Sequence, residues 1–560
     1  MSSRIGSTLV LALIGVAALP VVAQSFRVQC PTGTITHPEY TKGVNNAEPR
    51  YKGPTTMHSC TPGVLIPGTS TTCPAGGTFL VPNNSTINGA IKCQQVSGGD
   101  GFATMGDGTQ TYLFSFGPLS GLAAIANGNP GTQFPDVFNT PYAASIPAPA
   151  NTYLSPGDPA TTDASASFTW NGAVGLAPDV DNGNAIDGHV DARQIMDVGV
   201  MNGNIPAPLM AIDEDDEFFL TLSNVGMIMR PDLFEQHTIH FHGYPNASAY
   251  YDGVPDASVA INIGGSFTYY YLAPDAGTYF WHCHITPPEH LQMGMVGQLY
   301  VRPRQNRVLL GANLRAALSL QQGDVRTACV SSADILCTNP MPPTNTATRL
   351  ANKSGAPMLY AYNDGDGSTG YDVEYPLQIH GFDPNFHFVG MTFNPEGFAD
   401  MKDKFFLLNG RSYPDTVTAG PMQTVTADGV NHFSQPLPAI INIPAGGKAL
   451  LRISDLDVSE YQTLASLGIP MNVVGYNAKL LRDQDGVNMN YKTNSITLGG
   501  GESLDVILDA SNTTKYQAGQ KFYLYTPNLD HLANDAENFG GLMTEVNICN
   551  TVNPTTKACN

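Results

Sequence analysis

The chain has 560 residues, a formal net charge of −21, 57 glycines and 42 prolines, and 13% of its residues are charged. The acidic balance argues against nucleic-acid binding, which needs a basic surface; it serves solubility or attracts cationic substrates such as metal ions. The chain is longer than a domain with a single hydrophobic core usually is, so more than one domain is expected. The glycine and proline content predicts many short strands joined by turns, and therefore an all-β protein.

The N-terminus, residues 1–23, predicts a signal peptide. Arg4 precedes the apolar run LVLALIGVAALPVVA, and the small residue Ala23 stands near the expected cleavage point. No other stretch reaches the roughly 18 apolar residues expected of a transmembrane helix. The sequence therefore predicts a secreted or periplasmic protein that does not span a membrane.

Nine cysteines in an exported chain predict four disulfides and one free thiol. Cys329 with Cys337 and Cys549 with Cys559 are close in sequence and are the simplest pairs to propose. Four more lie in an N-terminal Cys-containing region, residues 24–98, and their connectivity stays open: Cys30, Cys60, Cys73 and Cys93. The ninth is Cys283, which the metal chemistry below requires as a free thiol.

The first β-domain is expected at residues 99–303, with an insertion rich in proline, glycine and asparagine near residues 120–190. It contains two histidine-rich runs, HTIHFHG (237–243) and YFWHCH (279–284), and both predict β-strands. Alternation along a strand places His240 and His242 on one face and His237 on the other. In the second run, His282 and His284 share a face and Cys283 points away from them. If the two strands are neighbours, two metal sites lie on opposite faces of the same strand pair.

The sulfur-containing face can be completed by the following segment, HLQMGM (290–295). His237, Cys283, His290 and Met295 form the ligand set of a blue-copper electron-transfer centre, two imidazoles, a thiolate and a weak axial thioether. Met293 is the alternative axial ligand. A structural zinc site is disfavoured because no paired Cys or Cys/His spacing of the finger type occurs.

These motifs resemble those of the multicopper oxidases, whose patterns are HxxHxHG and HCH followed by HLxxGM. The resemblance implies that His240, His242, His282 and His284 bind a copper cluster that reduces dioxygen, and that Cys283 conducts electrons to it. It also implies dioxygen and a small reductant or metal-ion substrate as partners. One difference is the segment ITPPE (285–289), which has five residues where the family usually has three. We therefore expect a reshaped loop beside the blue copper.

A connector, residues 304–355, leads to a second domain, residues 356–548, and a short tail, residues 549–560. The second half weakly repeats the first, so both halves are expected to be cupredoxin-like Greek-key sandwiches. By alignment, Ala465 and Leu467 replace His240 and His242. Leu524, Tyr525 and Thr526 replace the HCH triplet. The second domain is therefore predicted to be free of metal ligands.

The cluster of a multicopper oxidase takes four histidines from each of two domains, and here only the first domain supplies four. The histidines of the second half are expected to be ordinary loop or core residues: His380, His387, His432 and His531. We hypothesise a homo-oligomer in which two copies of the first domain meet across a two-fold axis and share the cluster.

Two other functions stay open at this point. The layout is similar to that of copper nitrite reductases, although those have an aspartate where this chain has His240. A non-catalytic blue-copper electron carrier would leave four imidazoles without a role.

Candidate carboxylates that orient histidines or deliver protons are Asp252, Asp256 and Glu289. His290 is the expected solvent-side ligand. Met227, Met229 and Met293 are expected to pack in the core, and a thioether patch for Cu(I) is the alternative.

Overall fold

The structure is a computed structural model, and it describes residues 28–34, 36–37, 55–66, 72–82, 88–139, 173, 176–178, 186–190, 195, 198–230, 232–243, 248–273, 275–323, 329, 337–389, 397–425 and 431–560. The predicted signal peptide and most of the predicted 120–190 insertion lie outside the described residues. Among the described residues, no helix combines the length and apolarity needed to cross a membrane.

The N-terminal half consists mainly of strands. Their bounds are β1 Thr55–Ser59, β2 Thr78–Pro82, β3 Ile91–Thr104, β4 Gln110–Pro118, β5 Leu176–Pro178, β6 Ile186–Val190, β7 Met210–Asp213, β8 Glu217–Gly226, β9 His240–Phe241, β10 Ser266–Leu272, β11 Gly277–His282 and β12 Val296–Arg302. Two four-stranded sheets, in the orders β10-β8-β3-β4 and β7-β12-β11-β9, form the first sandwich. Its core holds large buried aromatic side chains such as Phe116, Tyr269 and Trp281.

The second half is also built from strands. Their bounds are β13 Leu359–Tyr360, β14 Gly370–Tyr371, β15 Val373–Phe382, β16 Phe405–Leu408, β17 Met422–Val425, β18 Asn431–Gln435, β19 Ile441–Pro444, β20 Lys448–Asp455, β21 Gln462–Leu467, β22 Met471–Tyr476, β23 Lys479–Leu480, β24 Tyr491–Thr493, β25 Ser495–Leu498, β26 Ser503–Asp509, β27 Lys521–Tyr525 and β28 Met543–Cys549. The sheet β16-β15-β20-β26-β22-β23 packs on the sheet β19-β28-β27-β21-β25.

Among the described residues, helices are few and short. The α-helices with described bounds are α1 Leu122–Ala126, α2 Pro135–Phe138, α3 Pro287–Gln292, α4 Leu314–Gln321 and α5 Pro384–Val389. The 3-10 helices are Ala249–Tyr251, Arg304–Arg307, Phe398–Asp400, Asp415–Val417 and Leu529–His531. The predicted all-β class with two sandwiches is therefore confirmed.

The two sandwiches follow the same strand plan. In the first, β3 runs parallel to β8 and β7 runs parallel to β12. In the second, β15 runs parallel to β20 and β19 runs parallel to β28. The antiparallel pairs β11–β12 and β27–β28 also correspond. This shared plan is the physical basis of the weak repeat in the sequence.

The four disulfides account for every cysteine except Cys283, which is free and buried. The two predicted pairs are confirmed, Cys329–Cys337 and Cys549–Cys559. The open pairs are Cys30–Cys93 and Cys60–Cys73. Because Cys93 lies in β3, the first of these bonds ties the N-terminal segment directly to the sandwich. Strand β3 begins at Ile91 and so crosses the predicted domain start at residue 99.

Candidate metal centres

Strand pairing brings the two histidine-rich runs together. Strand β9 pairs antiparallel with β11, with His240 directly opposite His282. His237 precedes β9 and forms an isolated bridge with Ile261, and Cys283 follows β11. The potential ligand atoms form two groups, each within 4.8 Å: His237, Cys283 and His290, and His240, His242 and His282. We call them the sulfur group and the imidazole group; the alternation argument predicted this partition.

In the sulfur group, both imidazoles direct Nδ1 at the thiol. The distance to Cys283 Sγ is 3.9 Å from His237 Nδ1 and 3.4 Å from His290 Nδ1. The backbone N–H of Thr238 donates to the same sulfur over 3.5 Å. All three side chains have 0% exposure. Three soft or borderline donors therefore converge in a site from which water is excluded.

The segment after Cys283 is organised by α3. Pro287 and Pro288 occupy its first turn, where proline is well tolerated, and Thr286 precedes it with φ 39°. His290 lies in this helix, and its carbonyl accepts the N–H of Met295 at 2.9 Å. The Cys283 N–H in turn donates to the Met295 carbonyl at 3.0 Å. The longer loop is thus accommodated as a helical turn, and Met295 is held beside Cys283.

The sulfur group fits a metal on its own chemistry. Burial raises the pKa of the Cys283 thiol to about 11 and lowers the pKa of His290 to about 3. Burial also lowers the pKa of His237 well below its ordinary value. The Nδ1 atom of each imidazole faces the Cys283 sulfur, which is a weak hydrogen-bond partner, at 3.9 Å for His237 and 3.4 Å for His290. A metal bound by these three atoms would use donor groups that the buried cluster otherwise leaves poorly paired.

The imidazole group is oriented by backbone carbonyls. His240 Nδ1–H donates to the Asp252 carbonyl at 2.7 Å, and His282 Nδ1–H donates to the Cys283 carbonyl at 2.6 Å. A carbonyl can only accept, so both neutral rings carry their lone pair on Nε2. His242 Nε2 lies 2.9 Å from His282 Nε2. Such a set of converging lone pairs suits a metal, and carbonyl partners that fix the tautomer are the usual support of a ligating histidine.

His284 extends the imidazole group. Its ring centroid lies 5.1 Å from that of His240 and 5.6 Å from that of His282. Burial, followed by its neighbours' charges, lowers the pKa of His242 to about 4. Burial lowers the pKa of His282 to about 3. Both rings are therefore neutral near pH 7, the form that binds metals.

The second sandwich covers part of this group. A cavity of about 480 Å³ is bounded by His242, His282 and Phe280 on one side and by the segments 457–461 and 499–502 on the other. The backbone of Gly501 hydrogen-bonds to His242. A Cβ at Gly501 would lie 2.7 Å from His242 Nδ1, and φ there is +90°, so glycine is required at this contact.

The carboxylates near the two groups differ from the expected set. Asp252 Oδ2 lies 3.5 Å from His240 Nδ1, as a carboxylate that orients a histidine should. Asp256 is exposed, and Glu289 is half-buried and interacts with Glu235 and Arg230. Sequence reasoning missed Glu235, whose Oε2 lies 3.8 Å from His290 Nε2. The sequence feature that could have identified Glu235 is its position two residues before the predicted ligand His237.

One expectation about exposure was wrong. His290 is fully buried rather than on the solvent side, because α3 and Phe114, whose ring contacts His290 edge-on, enclose it. Met227 and Met293 belong to the hydrophobic core, as expected of methionines near a sandwich core, and Met229 is exposed.

In the second sandwich, three of the four histidines have structural partners. His380 Nε2 lies 2.9 Å from the Gln292 carbonyl, and His387 Nε2 lies 2.9 Å from Gln292 Oε1. His531 stacks on Phe406 and hydrogen-bonds to Gln462. The side chain of His432 is outside the described residues.

The register of the second sandwich corrects the alignment of the halves by one residue. Strand β21 pairs with β27, as β9 pairs with β11, but Ala465 lies opposite Tyr525 rather than Leu524. If Ala465 occupies the position of His240, Tyr525 occupies that of His282. Neither register places a histidine there, so the equivalent positions carry no imidazole.

Comparison with known proteins gives one family match. Residues 185–306 match the model of the family described as multicopper oxidase. This segment contains every residue of the sulfur group and of the imidazole group, together with His284, Met293 and Met295.

The sequence similarity to individual proteins covers about a fifth of the chain. A 109-residue segment is 34% identical to the laccase abr2 of Aspergillus fumigatus, covering 19% of this chain and 17% of that protein. Another 109-residue alignment is 35% identical to a copper-containing nitrite reductase of Rhizobium meliloti, covering 19% of this chain and 26% of the relative. The chain therefore matches much less than two thirds of either relative's length. A solved copper nitrite reductase from Nitrosomonas europaea aligns with a TM-score of 0.41 at 12% identity, covering 83% of this chain and 96% of that one.

Proposed function

We propose that this protein is an exported copper-dependent oxidoreductase of the multicopper oxidase type, because residues 185–306 match the model of that family. It couples one-electron oxidation of a metal ion or a phenol-like substrate to the reduction of dioxygen to water. Similarity to laccases supports this proposal, as does the free, buried thiol of Cys283 in a chain whose other cysteines are paired.

One observation carries the proposal. The side chain of Cys283 faces His237 and His290, while His282, directly bonded to Cys283 in the chain, belongs to the imidazole group. Cys283 is therefore a ligand candidate for one metal and a covalent neighbour of the ligands of others. An electron carrier would need only the sulfur group. It would not explain why a second set of imidazoles, oriented by backbone carbonyls, lies next to that group.

The sulfur group would hold one copper through His237, Cys283 and His290, with Met295 as the candidate fourth ligand. Binding requires the thiolate, so a metal must displace the thiol proton, and the raised pKa of Cys283 is a property of the metal-free site. The imidazole group, with His284, would hold the remaining copper. Copper supplies one-electron redox chemistry at the first group and activation of dioxygen at the second.

The residues of the chain set the path of the electrons. Cys283 and the adjoining backbone provide a bonded route from the sulfur group to His282 and His284. Since His290 is buried, substrate electrons enter through the surface above it, where Glu235 is 28% exposed and lies 3.8 Å from His290 Nε2. A carboxylate at this position favours a cationic reductant such as a divalent metal ion.

The imidazole group also points to self-association. His240, His242 and His284 stay only half-buried, although the second sandwich covers one side of the group. We keep the proposal that two copies meet across a two-fold axis and share a three-copper cluster. With one sulfur-bound copper per chain, such a dimer contains about five coppers.

Nitrite reduction is the second candidate, favoured by the 35% identity to a copper-containing nitrite reductase. His240 stands where the nitrite reductases have an aspartate, and this disfavours the candidate. Parallel assays of dioxygen uptake and of nitrite consumption with one reductant distinguish the two reactions. Turnover of nitrite without dioxygen uptake would select the reductase.

Substitution of Cys283 tests the proposal directly. Cys283→Ser should abolish the intense thiolate-to-copper absorption and the oxidase activity together, because the sulfur is both a ligand and part of the electron path. Copper bound by the imidazole group should remain, as measured by copper quantitation. Met295→Leu should shift the visible spectrum, and the matched variant Met293→Leu should leave it unchanged.

Copper quantitation on a size-defined species completes the test. A blue signal together with additional, magnetically silent copper supports the oxidase. One copper per chain and no dioxygen uptake would contradict it and would support the electron carrier.

A further inference from the structure

A second cavity, of about 900 Å³, lies between the two sandwiches and the C-terminal tail. We call it the tail cavity. The first sandwich contributes Leu209 and Tyr300, the second contributes Pro376 and Leu437, and the tail contributes the segment 555–559. Ligand pockets in proteins fall in this size range and favour domain interfaces.

The lining is mostly apolar, with a small charged area. Leu209, Tyr300 and Leu437 pack together as one buried cluster along one wall. Of the described residues that line the cavity, three are charged, Arg302, Glu374 and Lys557. A mostly apolar lining with a few polar and charged groups favours an amphiphilic ligand.

The single carboxylate of the cavity is already neutralised. Arg302 Nη2 donates to Glu374 Oε1 at 2.6 Å, and Arg452 Nε donates to Glu374 Oε2 at 3.1 Å. Tyr371 O–H donates to the same Oε2 at 2.9 Å. Both oxygens of Glu374 are therefore engaged, and the charged lining residues retain an excess of one positive charge.

Lys557 is held in place by the tail. The Cys549–Cys559 disulfide closes the tail loop, and Asn442 Nδ2 donates to the Lys557 carbonyl at 2.8 Å. Burial lowers the pKa of Lys557, and its charge interacts with those of Glu374 and Arg302. Its ammonium group is thus a partly desolvated cation in the same cavity as the Arg302 guanidinium, in a chain whose net charge is −21. A bound anion would complete this pair.

We propose that the tail cavity binds a small molecule with an apolar, aromatic body and one carboxylate, with the carboxylate at Lys557 and Arg302 and the body against Tyr300 and Leu437. The site is separate from the metal centres. Strand β12 leads from Met295 to Arg302, and its seven residues span roughly 20 Å. The tail cavity is therefore a binding site rather than the point of electron entry, and the proposal does not depend on the copper chemistry.

Isothermal titration calorimetry of the full chain with naphthalene-2-carboxylate tests the proposal. We expect saturable binding of one molecule per chain. The uncharged 2-naphthylmethanol and the cationic 2-naphthylmethylammonium should bind at least tenfold more weakly, because one charge-assisted contact typically contributes about a factor of ten.

Two variants locate the site. Lys557→Gln removes the cation but keeps the backbone contact to Asn442, and it should weaken binding about tenfold. Ala124→Phe fills the cavity from α1 and should abolish binding. Lys515→Gln, an exposed lysine away from the cavity, is the matched control and should bind as the native chain does.

Three results would overturn the proposal: no heat of binding to the native chain up to about 1 mM ligand, equal affinity for the cationic analogue, or unchanged affinity in both cavity variants. Because Lys557→Gln changes one partly exposed side chain, it stays informative if Ala124→Phe fails to fold. Copper content and dioxygen uptake do not enter these measurements, so they fail or succeed independently of the proposed oxidase activity.

Discussion

Gly98 shows how one residue fixes the position of a ligand. It lies in β3, and a Cβ at this position would lie 2.7 Å from His237 Cδ2. That distance is too short for a non-bonded carbon pair, so any larger residue must displace the imidazole. The surroundings of His237 are fully buried, and a close-packed interior offers it little room to move.

Gly98→Ala should therefore disturb the sulfur group while the fold persists. We expect the blue absorption of the copper-loaded protein to weaken or shift, because His237 Nδ1 moves relative to Cys283 Sγ. Gly76→Ala is the matched control, since a Cβ there meets nothing within 4 Å. Visible spectra of the two variants at equal copper content make the comparison, and identical spectra would contradict the role of Gly98.

At the scale of elements, the acidic run at the junction of β7 and β8 is unexpectedly buried and holds ion pairs. The sequence DEDDE (213–217) is typical of a solvated loop, yet all five carboxylates are buried. Arg304 Nε donates to Asp215 Oδ2 at 2.8 Å, and Arg307 Nη2 donates to the same oxygen at 2.6 Å. The run therefore fixes the start of the connector against the first sandwich.

Arg304→Met should be strongly destabilising, because it leaves the buried Asp215 carboxylate with one cation instead of two. Loss of one partner from a buried ion pair typically lowers the free energy of unfolding by about 3–5 kcal/mol. Arg230→Met is the control, since Arg230 pairs with the exposed Asp232 and its loss should change little. Urea denaturation at pH 7 measures both, and equal midpoints for the two variants would contradict the structural role of Arg304.

At the scale of the molecule, a buried polar contact joins the two sandwiches next to the sulfur group. Gln292, at the end of α3, donates from Nε2 to Asp403 Oδ1 at 2.5 Å. Ser459 donates to the other oxygen of Asp403. Burial, and then the neighbouring charge of Asp457, raises the pKa of Asp403 from 3.8 to about 8. The folded protein therefore keeps a proton on Asp403 that the unfolded chain releases.

This linkage predicts a pH dependence of stability. Because the folded-state pKa is the higher one, the contribution of Asp403 to the free energy of unfolding should fall as the pH rises from about 4 to about 8. The buried histidines, whose pKa values are lowered, contribute in the opposite direction, so the effect of Asp403 is the difference between the native chain and a variant. Asp403→Asn mimics the protonated side chain and should therefore gain stability relative to the native chain between pH 5 and pH 8, whereas the exposed Asp400→Asn should not. Urea midpoints at the two pH values measure the effect, and the same change with pH in the native chain and in Asp403→Asn would contradict it.

The sequence by itself determined the features that depend on local spacing. The period of two in a strand separated His237 and Cys283 from His240, His242 and His282. The abundance of turn residues indicated an all-β fold, and the short separations predicted two disulfides correctly.

The tertiary structure decided what depends on packing between distant segments. The burial of His290, the carbonyl that orients His240, the partners of His380 and the register of β21 arise where segments far apart in the chain meet. Burial of the acidic run required arginines about 90 residues away, which no local pattern can indicate. Local spacing fixes which face a side chain occupies, whereas packing of distant segments fixes what that face meets.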